Sequence, residues 1–74
     1  MNGFAIKAIR IGKGMTQVDF AAQIGISAQW LSAVESGTSP VSDRVRIRIG
    51  QLYGDDPEAS ELIRRAKLSD SLNV

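Results

Sequence analysis

Apolar residues recur along this chain at helical spacing, and Gly, Pro and capping residues cut the pattern into short runs. Ile6 and Ile9 share one face of a first run that Gly12 and Gly14 break, which predicts a helix over about residues 3–11. Thr16 precedes a second run; its hydroxyl can cap a helix beginning at Gln17, and Asp19 is placed to reach back as a shorter acid in a capping box. Gly25 suits the left-handed conformation that ends a helix, so this one should stop at Ile24. Ser27 is a good N-cap for a third helix over residues 28–36, with Leu31 and Val34 on one face and Gly37 as its stop. Two helices this short, joined through so tight a Gly turn, cannot lie antiparallel and must cross steeply.

Residues 37–40 read as a loop. A fourth helix then runs from Ser42 or Asp43 to Tyr53, with Val45, Ile49, Leu52 and Tyr53 at core spacing and Gly54 as its stop. Asp56 before Pro57 is a strong start signal for a fifth helix reaching about Leu68, with fraying expected past Ser69. The prediction is an all-α domain of five compact helices, in which the second and third form a helix-turn-helix.

Burying Leu31 and Val34 turns the opposite face of the third helix outward. Ala28, Gln29, Ser32, Ala33 and Ser36 fall on it as a small, uncharged stripe able to enter a DNA major groove. Gln29 is the best reader of base edges, because its amide can both donate and accept and so suits the N6 and N7 edge of adenine. The Ala28 and Ala33 methyls can touch thymine methyls, and Ser32 can bond either way. Phosphate contacts are expected to flank the stripe, at Ser27 and Ser36 among others. Trp30 lies between the core face and the outer face; it either packs its ring on the second helix or directs its indole N–H at a phosphate.

From Thr16 to Gly37 the chain reads TQVDFAAQIGISAQWLSAVESG. Thr16-Gln17, Phe20-Ala21, Ile24-Gly25-Ile26-Ser27, Leu31 and Val34-Glu35 followed by Gly37, with Ile9-Arg10 and Gly14-Met15 before them, resemble the helix-turn-helix of the phage repressor and Cro family, also called the XRE family. The resemblance covers about residues 5–54 and implies a lambda-repressor-like fold and sequence-specific binding of double-stranded DNA. It further implies that Gln17 clasps a phosphate with help from a helix N-terminus, that Lys13, Thr38, Ser39 and Arg44 lie along the DNA backbone, and that Arg10 and Glu35 form a partly buried structural ion pair. Ala28 and Ala33 stand where many relatives carry longer polar side chains, so DNA shape should contribute to recognition.

Composition narrows the remaining choices. At 74 residues the chain is one domain at most, divided here into a DNA-binding part over residues 1–54 and a C-terminal helix and tail over residues 55–74. With no Cys and no His, it can form no disulfide and lacks a thiolate nucleophile, an imidazole base and the usual zinc ligands. A regulator and not an enzyme is therefore expected, with no cofactor and no metal. Net charge is only +1, but it is unevenly placed: up to Gly54 six cations face three anions, and from Asp55 onward five anions face three cations. A mildly basic body suits contact with phosphate.

No apolar run approaches the roughly 20 residues needed to cross a bilayer, and the N-terminus lacks a secretory pattern, so a cytoplasmic protein is expected. One helix-turn-helix touches only a half-site, which calls for a homodimer. Leu62, Ile63 and Ala66 on the fifth helix, extended by Leu68 and Leu72, either supply that interface or a surface for a second protein, or else pack back on the core. The leading reading is a small phage or prophage Cro-like repressor. The alternatives are the antitoxin of a toxin–antitoxin pair and a protein-interaction adaptor on the same fold.

Overall fold

The computed structural model describes residues 1–72, with side chains as far as Ala66. Five helices follow in order, and among the described residues there is no strand: α1 (Gly3–Gly12), α2 (Gln17–Ile24), α3 (Ala28–Glu35), α4 (Asp43–Tyr53) and α5 (Pro57–Leu72). Their starts are set by local side chains, as the sequence indicates. Thr16, Ser27 and Ser42 each accept a hydrogen bond from the amide three residues on, at 3.1, 3.0 and 3.3 Å. Asn2 caps α1 in the same way, accepting from the Ala5 amide at 2.8 Å. The last helix runs past Ser69 to Leu72, beyond the expected end at about Leu68. The side chains of Leu68 and Leu72 lie outside the described residues.

The turn between α2 and α3 depends on backbone conformation. Gly25 sits at φ +78° in the left-handed region, and the Ile26 amide reaches back to the Ala21 carbonyl at 3.0 Å, closing the six-to-one bond of a Schellman turn. Ile26 thereby folds against the core, and Ser27 can start α3 at once.

Every helix contributes to one core. Ile6 and Ile9, Phe20, Ala21 and Ile24, Leu31 and Val34, Val45 and Ile49, and Ala59 are all buried and form a single cluster. The ring of Tyr53 stacks on Phe20 at 6.1 Å between centroids, and its hydroxyl donates to the Gln23 side chain at 2.6 Å. Arg48 adds a second tie from α4 to α2 by donating to the Gln23 carbonyl at 3.2 Å.

The most extensive helix contact joins α5 to α1, so the fifth helix packs on the body. Ala59 and Ala66 are buried there, and Leu62 and Ile63 are half-buried against the core. Of the alternatives open for the Leu62, Ile63 and Ala66 stripe, packing on the core accounts for Ala66 in full and for Leu62 and Ile63 in part: a core this small recruits the fifth helix. In the described residues, no helix is long and apolar enough to cross a membrane.

Two glycines of similar appearance in the sequence behave oppositely. A Cβ on Gly3 would lie 1.9 Å from the Val34 carbonyl oxygen, because the start of α1 rests directly on the end of α3. A Cβ on Gly50, within α4, would meet nothing within 4 Å. Gly3→Ala should therefore destabilise the fold by about 1 to 3 kcal/mol through forced separation of the two helices. Gly50→Ala should stabilise it by roughly 0.5 to 1 kcal/mol. Urea or thermal unfolding of the two variants checks the opposite signs.

Candidate nucleic-acid interface

The third helix presents a solvent-facing stripe built as its caps and core residues dictate. Leu31 and Val34 are buried beneath it, while Gln29, Ser32 and Ser36 are exposed and Ala33 is half-exposed. Ala28 departs from the expected arrangement. It is half-buried and packs against the core, at the margin of the stripe, because the Schellman turn draws the start of α3 inward. Trp30 lies at the other margin with 36% of its surface exposed, partly packed and partly open.

The residues expected along the DNA backbone divide into those left open and those engaged by the protein. Arg44 is exposed in the first turn of α4, and its guanidinium lies 3.7 Å from where a Gly25 Cβ would stand, beside the turn that leads into α3. It has no anionic partner among the described residues. Thr38 and Ser36 share a hydrogen bond between their hydroxyls at 2.9 Å, at the far end of the stripe, and Ser36 also donates to the Ala33 carbonyl. The Thr38 and Ser39 amides both point to that same carbonyl, at 2.9 and 3.1 Å, which curls the loop back over the end of α3. Ser39 is half-buried as a result. Ser27 uses its oxygen as the α3 cap, which leaves its hydroxyl proton able to donate elsewhere.

Lys13 is the clearest departure. Its ammonium is paired with Asp56, has Glu58 at 4.0 Å and sits 5.7 Å from the centre of the Tyr53 ring. The residue expected along the DNA backbone thus has an internal partner, because the carboxylate that caps α5 comes to rest beside the α1–α2 loop. The hydrogen bond to Asp56 raises the affinity of Lys13 for its proton. The same bond, helped by the amides of Glu58 and Ala59, holds the Asp56 carboxyl below its ordinary range, against the opposing effect of burial.

Gln17 is also drawn inward. Its side-chain amide donates to Glu35 at 3.1 Å, leaving one N–H for an external acceptor. Glu35 is in turn held by Arg10 through two parallel bonds, Nε to Oε2 at 2.8 Å and a terminal nitrogen to Oε1 at 3.0 Å. The other terminal nitrogen of Arg10 donates to the Met15 carbonyl at 3.0 Å. Only 4% of the Glu35 side chain and 14% of the Arg10 side chain remain exposed, and the bond to Glu35 raises the guanidinium's proton affinity further. The network fixes α1, the loop after it, the start of α2 and the end of α3 in one relative placement.

Sequence reasoning missed the Gln17 to Glu35 bond, the Lys13 to Asp56 pair and the double use of Gln23 by Tyr53 and Arg48. Each joins residues 18 to 43 positions apart, which no local pattern brings together.

Comparison with known proteins gives one match: a family model described as a helix-turn-helix domain covers residues 3–70. No curated protein and no solved structure matches the chain.

Replacing Arg10 by Met should cost about 3 to 5 kcal/mol, since it strands a nearly buried carboxylate, whereas Arg46→Met, which breaks an exposed pair with Asp43, should cost less than about 1 kcal/mol. Denaturant titration of both variants tests the contrast. Because the folded carboxyl of Asp56 is depressed, its stabilising effect is complete above the ordinary aspartate value of about 3.9 and is lost as pH falls through the lower folded value. Thermal melting across that acid range should show a shallower decline for Asp56→Asn than for the parent.

Proposed function

We propose that this chain, which belongs to the helix-turn-helix domain family, is a sequence-specific transcriptional regulator that reads double-stranded DNA by setting α3 in the major groove. The observation that carries the reading is the outward stripe of Gln29, Ser32, Ala33 and Ser36, polar or small and without charge, on a helix whose inner face is locked by Leu31 and Val34. A charged stripe would bind phosphate at any sequence. An uncharged one contributes only where its donors, acceptors and methyl groups meet matching base edges.

Within this reading Gln29 is the principal base reader, with Ser32 and the Ala33 methyl beside it and Ala28 at the edge. Arg44, the remaining N–H of Gln17 and the hydroxyl of Ser27 hold the phosphates on either side. Trp30 directs its exposed edge toward the backbone. The scale of the domain and the short recognition helix fit a repressor of the phage Cro type, whose operator presents two half-sites to two copies of the chain.

Selection of binding sites from a random DNA pool tests the assignment. The wild type should enrich a short motif, and Gln29→Ala should relax preference at one base pair at a cost of about 1 to 3 kcal/mol. Arg44→Ala should weaken all sequences alike and reduce the slope of log affinity against log salt by about one. No enrichment by the wild type, or an unchanged motif with Gln29→Ala, would overturn the reading.

A further inference from the structure

α1 is apolar on two faces. Ala5, Ile6 and Ile9 enter the core, but Phe4, Ala8 and Ile11 line up at helical spacing on the opposite side, with Phe4 60% and Ile11 58% exposed. A helix at the surface of a small soluble domain ordinarily turns charged or polar residues to that side. Here the outer face of α1, as far as Gly12, joins Leu62 of α5 to form an open apolar groove of about 410 Å³. A contiguous patch of this kind marks an interface more often than scattered single apolar residues do.

The charges along its edges identify the occupant. Lys7 lines the α1 side and has no acidic partner among the described residues. Glu58 stands on the α5 side: its carboxylate lies 3.0 Å from where a Gly12 Cβ would be, next to Leu62, and although Lys13 stands 4.0 Å away, which leaves Asp56 as the closer partner of that ammonium, 57% of the Glu58 side chain is exposed. An apolar centre with a cation on one edge and an anion on the other complements itself when turned about a two-fold axis, because each copy then offers Lys7 to Glu58 of the other. A Cβ at Gly12 would meet Glu58 at 3.0 Å and Leu62 at 3.5 Å, so this glycine lets α5 close on the end of α1 and holds Leu62 beside the apolar face of that helix.

We infer that this groove is the surface through which two copies of the chain associate, Phe4 and Ile11 of each lying over the open part of Leu62 of its partner and Lys7 pairing with Glu58 across the axis. The association stands on the groove alone; its use, to place two copies of α3 on one operator, rests on the DNA-reading proposal.

Sedimentation equilibrium without DNA tests it. The wild type should weigh twice the 8.0 kDa chain at tens of micromolar, by the rough scale of small-domain dimers. Ile11→Glu and Lys7→Glu should each weaken association at least about tenfold while keeping the parent's helical circular dichroism, since both side chains are exposed. Lys7→Glu combined with Glu58→Lys should restore dimers. A monomeric wild type, or a dimer indifferent to Ile11→Glu, overturns the inference. A parallel titration with DNA carrying a single half-site separates the two claims: half-site binding by a monomeric wild type would sink the interface and leave DNA reading intact.

Discussion

The fold turns on one partly buried ion pair. Arg10 grips Glu35 with two bonds and the Met15 carbonyl with a third, and Glu35 passes the restraint on to Gln17. Apolar contact is tolerant of direction, so a core of Ile, Leu, Val and Phe could let short helices slide or rotate on one another. Charge-assisted bonds between planar groups are not tolerant, and this set meets where α1, the start of α2 and the end of α3 converge. Its net contribution to stability is smaller than the number of bonds suggests, because both charges left water to form it. Its contribution to geometry is larger, since any other placement of α3 would leave a buried charge unpaired.

The placement of α3 follows from that restraint together with two backbone conditions. Gly25 in the left-handed region makes the turn short, and Gly3 lets α1 lie on the last carbonyls of α3 without a side chain between them. The result is an outward stripe on α3 backed by the buried Leu31 and Val34. The protein spends most of its cations on itself: Arg10, Lys13, Arg46 and Arg48 all have partners within the chain, while Lys7 and Arg44 have no acidic partner among the described residues. On the DNA-reading proposal, a surface so sparing in free charge would leave discrimination to the neutral stripe and to the pairing of two copies.

Small size explains the part played by α5. A chain of this length buries too little apolar surface in four short helices, and the fifth adds Ala59 and Ala66 to the core and ties its first turn to the α1–α2 loop through Asp56 and Lys13. The same economy leaves the outer face of α1 apolar and uncovered.

The order, starts and type of the helices were written in local chemistry. Thr16, Ser27 and Asp56 before apolar runs, and Gly25 after one, act through bonds spanning a few residues, so position along the chain suffices to locate them. The outward stripe on α3 was legible for the same reason, because burying Leu31 and Val34 determines which residues face away. Where Ala28 sits, where Lys13 goes, what Gln17 holds and that α5 lies against α1 were decided only in three dimensions. Those outcomes depend on which long side chains arrive at the same place, and a flexible Lys or Gln carries no mark of its partner until packing has fixed the distance between them.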